Sequence, residues 1–264
     1  MLPGPTDAGD VVRIFAISDI HVDYEINARW LADLSTSEYR NDVLILAGDV
    51  SDSLERLGWA LGVLTARFRR VMYVPGNHDL WVIRDPGRGT SLDKFERLRA
   101  VVEQSGASMD PEILDRVLIV PLQGWYDYSF GTPSGELLER WMDFHACRWP
   151  AHFEMRDVAA HFQALNHVPP PVHEGMSISF SHFLPRIDVM PAYIPRARRM
   201  LYPVLGSTRL EEQLRAMKSR IHIYGHSHVN RQIAIDDVTY INNAFGYPDE
   251  TRIAAKELLC IHST

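Results

Sequence analysis

The sequence predicts an α/β fold built on a largely parallel sheet, and two observations carry that expectation. Short apolar runs rich in β-branched residues recur along the chain, and the early ones each end in a polar, turn-prone segment. Between them lie stretches with helical spacing, the alternation that builds βαβ units. A chain of 264 residues, 46% of them hydrophobic, can bury one sizeable core.

Taken in order, residues 1–10, with Pro3, Gly4 and Pro5, read as a flexible leader ahead of a single domain spanning 11–264. Residues 11–18 (VVRIFAIS), 43–47 (VLILA) and 71–74 (VMYV) read as buried strands. Helices are expected over 27–34 and 53–68, the second with Ser53 as its N-cap. Region 85–175 is in part a candidate lid or cap insertion. It holds a helix near 92–105, a strand at 117–121, an aromatic-rich stretch over 125–149 and a helix near 156–165, closed by Pro169, Pro170 and Pro171. The strand pattern resumes at 177–181 and 221–224. Residues 232–235, 238–241 and 257–261 alternate apolar and polar side chains, with Asp236 and Asp237 linking the first two, and read as antiparallel strands closing the fold.

Composition excludes several classes. A net charge of −7 gives no general attraction for nucleic acid or anionic lipid, and no basic stripe with interleaved aromatics marks a nuclease. The first ten residues lack the basic and apolar regions of a secretory signal, and no apolar run approaches the ~20 residues of a membrane span, so a cytoplasmic setting is expected. Cys147 and Cys260 form no CxxC pair. Cys147 reads as packing, not as a nucleophile.

Five short motifs follow expected strands: Asp19-Ile20-His21, Gly48-Asp49, Gly76-Asn77-His78-Asp79, Ser181-His182 and Gly225-His226-Ser227-His228. Loops at the carboxyl ends of strands converge, so these residues should meet at one rim. Imidazole suits zinc, iron or manganese, and carboxylate and amide oxygens suit harder ions. If these segments are extended, Asp-x-His and His-x-His each place two ligands on one side. The glycines before Asp49, Asn77 and His226 allow sharp turns.

In this order the motifs resemble the calcineurin-like metallophosphoesterase family, over residues 19 to 228. The resemblance implies a four-layer α/β/β/α sandwich of two mixed sheets and two metal ions (manganese, iron or zinc). By matching position it implies Asp19, His21 and His228 at the first metal, Asn77, His182 and His226 at the second, and Asp49 as the bridge. His78 matches the histidine that contacts the phosphate and assists the leaving group, and Asp79 the acid that orients it. The implied reaction is direct attack of a metal-bridging hydroxide on a phosphate ester, with no phosphoenzyme. The substrate expected is a small-molecule phosphomonoester. A nucleotide phosphodiesterase or pyrophosphatase is the alternative, and a scaffold that has lost catalysis is the other class.

Outside the motifs, Trp125 and Tyr126 either stack on an organic leaving group or plug a loop from beneath. Arg186, Arg196, Arg198 and Arg199 either grip a second anion of the substrate or form a solvated basic loop. His145, His152, His161, His167, His173, His222 and His262 read as surface or core residues.

Overall fold

The structure is a computed structural model, and it describes residues 11–85, 87, 89–114, 116–169 and 175–264. The expected leader, the stop at Pro170 and Pro171, and His173 lie outside the described residues.

Among the described residues ten strands form two mixed sheets. They are β1 (Arg13–Ile17), β2 (Val43–Leu46), β3 (Arg70–Tyr73), β4 (Glu112–Leu114), β5 (Val117–Pro121), β6 (Met176–Phe180), β7 (Ile221–Tyr224), β8 (Arg231–Ile235), β9 (Val238–Asn242) and β10 (Leu259–Ser263). The first sheet runs β10-β1-β2-β3 and the second β4-β5-β6-β7-β9-β8. Strands β1, β2 and β3 are mutually parallel, as are β5, β6, β7 and β9.

Side chains on a strand alternate faces, and the core divides accordingly. Ile14, Ala16, Val43, Ile45 and Met72 of the first sheet pack with Val117, Ile119, Ile178, Phe180, Ile223 and Ile241 of the second. The intervening residues, among them Phe15, Ile17, Leu44, Leu46, Val71, Val120 and Leu122, pack against helices. Those helices are α1 (Glu25–Ala32), α2 (Leu54–Thr65), α3 (Ser91–Ser105), α4 (Gly135–Arg140), α5 (Asp143–Ala146), α6 (Met155–Ala164) and α7 (Thr208–Ala216). Two sheets face to face with helices outside make the α/β/β/α sandwich. Ser53 caps α2 as expected, its hydroxyl accepting from Arg56 N–H. The helix α3 begins with a capping box, Thr90 and Asp93 bonding reciprocally, and ends on left-handed Gly106.

Several features depart from the expectation, and β4, α4 and α5 lie where no element was expected. The last strand does not join the hairpin β8-β9. It crosses to the other sheet and pairs antiparallel with β1, covering what would be an open edge. The hairpin itself is antiparallel, but β9 lies parallel to β7. Helix α7 was not expected, because only Leu210 and Leu214 are buried along an otherwise charged segment. Cys147 is half-buried and Cys260 exposed, and both are free.

On the helix-facing side of the second sheet, His222 is fully buried among serines. Ser219 Oγ is 2.7 Å from Ser179 Oγ and donates either to it or to the Ile221 carbonyl at 3.2 Å, and Ser179 Oγ is 2.8 Å from His222 Nδ1. Ser181 donates to the Phe183 carbonyl and so accepts from His222 Nε2 at 3.1 Å. The ring is therefore protonated at Nε2. Burial pushes this histidine down to about 3, against 6.5 for a free imidazole. Since the unfolded chain takes up the proton first, the stabilisation is complete above about 6.5 and is lost as pH falls toward 3, at up to about 1.4 kcal/mol per pH unit. Denaturant unfolding of chelator-treated protein between about pH 6 and about pH 4 should therefore show a shallower decline for His222→Gln than for the wild type. Equal slopes would exclude His222 as a contributor.

Candidate metal centre

All five motifs lie at the carboxyl ends of β1, β2, β3, β6 and β7, so both sheets deliver polar residues to one rim. Backbone bonds knit the two sheets there: Ser18 N–H donates to Asn243 O, Phe245 N–H to Ser18 O, and Gly246 N–H to Asp19 O. The segments are not extended, contrary to the expectation for Asp-x-His and His-x-His. Asp19, His21, Asp49, His226 and His228 have φ of 54°, 45°, 56°, 65° and 51°, the left-handed region. Such backbone costs of order 1–3 kcal/mol per residue and collects at functional sites. Its consequence is that His226 and His228 turn to different clusters. Gly76 is needed because a Cβ there would collide with the Asp49 carboxylate.

The first cluster is Asp19, His21 and His228. His228 Nε2 lies 3.2 Å from Asp19 Oδ1 and 3.3 Å from His21 Nε2. The second is Asp49, His182 and His226, with Asn77 beside it. His182 Nε2 lies 3.2 Å from His226 Nδ1 and 3.1 Å from Asn77 Oδ1. Asp49 Oδ2 stands between the clusters, 3.5 Å from His182 Nε2 and 4.0 Å from His21 Nε2.

The outward faces of four donors are tied down. His182 donates from Nδ1 to Ala47 O at 2.9 Å, and His226 from Nε2 to Val204 O at 3.1 Å. His228 Nδ1 meets Glu250 Oε2 at 2.6 Å, and Asn77 Nδ2 donates to Asp143 Oδ1 at 2.8 Å. Each bond turns the other ring nitrogen, or the amide oxygen, inward. Metal-binding histidines are held this way, by a partner at the other nitrogen.

The electrostatics agree. Burial, with the negative charges of Asp19 and Asp79, holds Asp49 well above the usual carboxylate range. Burial, then His228, brings His21 down to about 3, and burial lowers His182 and His226. Burial opposes protonation of His228 as well, but Asp19 and Glu250 outweigh it and raise the group to about 10. Carboxylates, three imidazoles held neutral and one, His228, whose inward proton an incoming cation would displace make a candidate cation site, and the donor set fits two borderline ions.

Asp79 has a different place from the one expected. Its carboxylate makes no contact with the His78 ring. It accepts four backbone N–H bonds at 2.8–2.9 Å, from Asp49, Val50, Ser51 and Gly76. The residue lies in a 3₁₀ turn after β3, from which a short carboxylate reaches backbone more readily than the neighbouring ring. The His78 ring instead stacks on Trp81, with centroids 3.7 Å apart, and its Nε2 is 3.4 Å from the Tyr247 hydroxyl and 3.8 Å from Asp49 Oδ2. Tyr247 also stacks on His21 at 4.6 Å.

Trp125 and Tyr126 are both 0% exposed and pack with Trp149, Phe162, Phe183 and Phe144. They touch no open surface, so the stacking role is replaced by the plug: the strand they follow runs beneath the loop into the core. Arg186 is held by Asp188, Glu211 and Asp236, the last at the β8-β9 turn, the end of β9 remote from the rim. Arg196, Arg198 and Arg199 are exposed on a 3₁₀ segment (Arg196–Val204), whose last residue accepts the His226 bond, and Arg199 donates to the Ala192 and Ile194 carbonyls. Glu250, Tyr247 and Asp143 were not anticipated, since no motif spacing marks them.

The model of the calcineurin-like phosphoesterase family matches residues 12–230, and the chain belongs to this family of metal-dependent phosphoesterases. Among curated proteins it resembles PptH, an [acyl-carrier-protein] phosphodiesterase of Mycobacterium tuberculosis, at 28% identity over 276 residues, covering 94% of this chain and 82% of the relative. The crystal structure of that organism's phosphopantetheinyl hydrolase PptH superposes with a TM-score of 0.75 at 25% identity, over 93% of both chains. Among the described residues no helix is long and apolar enough to cross a membrane.

The Asp79 geometry yields an expected outcome. Asp79→Asn turns an amide NH₂ toward backbone N–H groups, which should cost about 1–3 kcal/mol in denaturant unfolding and weaken metal uptake. Normal stability with a loss confined to kcat would restore the role of orienting His78.

Proposed function

We propose that this chain is a dinuclear metal-dependent phosphodiesterase that hydrolyses the ester joining a phosphopantetheine arm to a carrier-protein serine. The observation that carries the metal chemistry is the convergence of seven donors, four of which have their outward faces bonded away from the cluster. The substrate rests on the near full-length likeness to PptH, which favours a diester on a protein over the small phosphomonoester expected from the sequence.

In this reading Asp19, His21 and His228 hold one ion, Asn77, His182 and His226 the other, and Asp49 both. When bound, such a pair places Lewis-acid charge on the phosphoryl oxygens and lowers the pKa of water toward ~7. Water's oxygen joins phosphorus, the bond from phosphorus to the serine oxygen breaks, and the serine oxygen takes a proton. His78, supported by Trp81 and facing Tyr247, is placed to donate a hydrogen bond to a phosphoryl or leaving oxygen. The exposed Arg196, Arg198 and Arg199 are offered to the carrier outside the rim.

Manganese-loaded protein incubated with phosphopantetheinylated carrier should release the arm and leave an unmodified serine, followed by mass spectrometry. Asp49→Asn should abolish release, and replacing the three arginines with alanine should raise KM on the carrier but not on a small aryl diester. Turnover of the aryl diester with no release from the carrier would remove the substrate assignment and keep the phosphodiesterase.

His78→Ala should keep its metal content and lose about 10²–10⁴-fold in kcat on the carrier, whose alkoxide is a poor leaving group, and less on an aryl diester. Loss of metal would move His78 into the coordination shell, since it also falls within ligand distance of His21 and Asp49.

A further inference from the structure

Asn77 offers an amide, and an amide presents oxygen or NH₂ to a cation according to how it is turned. What turns it is a carboxylate from another part of the chain. Asp143, at the start of α5, is 2% exposed. Its Oδ1 accepts from Asn77 Nδ2 at 2.8 Å and from Trp81 Nε1 at 2.7 Å, and its Oδ2 from Trp141 Nε1 at 2.8 Å. All three donors belong to residues that touch the candidate centre. Asn77 turns its oxygen to His182, Trp81 carries the His78 ring, and Trp141 stands edge-on to His226 at 5.8 Å.

We infer that Asp143 is a positioning residue for the second metal and for His78, fixing the Asn77 amide with its oxygen inward and holding Trp81 beneath the His78 ring. The inference rests on the dinuclear reading above. A carboxylate serves here because it only accepts, and all three neighbours only donate toward it. Alanine at 143 would leave all three without their acceptor. Outer partners of metal ligands typically contribute about 10–100-fold in affinity, which sets the size of the effect.

Two measurements separate the positioning role from the dinuclear reading. In metal-free protein the Asn77 side-chain amide, identified in the ¹⁵N spectrum by its loss in Asn77→Ala, should exchange slowly. It should exchange fast in Asp143→Ala and remain slow in Trp141→Phe, which removes a different donor from the same carboxylate. Fast exchange in the wild type needs no variant to read, and it would overturn the inference, as would unchanged exchange in Asp143→Ala. In calorimetric titration with manganese, Asp143→Ala should lose about 10–100-fold at one of two sites and little at the other, with no further loss in an Asn77→Ala background. A loss of similar size in that background would show that Asp143 does not act through Asn77. Uptake of fewer than two ions by the wild type would sink the dinuclear reading, while the amide exchange would still decide the role of Asp143.

Discussion

Four backbone N–H groups, those of Asp49, Val50, Ser51 and Gly76, point at the buried carboxylate of Asp79. The loops after β2 and β3 take their shape from that convergence. It sets the turn in which Asp49 is left-handed, and it holds Gly76 so close that the Asp49 carboxylate fills the space a side chain would take. Asn77 and His78 follow at once, so the amide donor and the candidate phosphate contact inherit their positions from the same anchor. An anion ringed by four donors in a dry interior is among the stronger polar arrangements a protein can make, and it offsets the strain that the loops carry.

The rim as a whole is built against local preference. Five donor residues sit in left-handed backbone, and acids and imidazoles are crowded where water does not reach. Neither feature serves the stability of the metal-free chain. Both suit the binding of compact positive charge, because donors that are already oriented lose little freedom when an ion arrives. Binding free energy then adds to folding free energy, since the unfolded chain has no such site.

How much of this was legible in the sequence depends on distance along the chain. Asp19 and His21, or His226 and His228, are two residues apart, and the turns that carry them follow apolar runs that could only be buried strands. The layers were legible for the same reason, through residues such as Ile14, Ile45 and Ile178. What was hidden was long-range or conformational. Asp143 lies 66 residues from Asn77 and Glu250 lies 22 from His228, with no spacing rule to connect them. The left-handed backbone of His226 and His228 leaves no trace in composition, so the two rings were expected on one side. Trp125 has the residue type of a stacking platform, and only its burial shows that it is a plug.

The crossing of β10 also orders events in time. Strand β1 has β10 on one side, and the loop beyond it is bonded to Phe245 and Gly246. His21 and His228, facing each other at 3.3 Å, are separated by 207 residues. The first cluster can therefore close only after segments 207 residues apart have met. Contacts this distant in sequence form late and slowly, so the candidate metal centre is assembled late in folding.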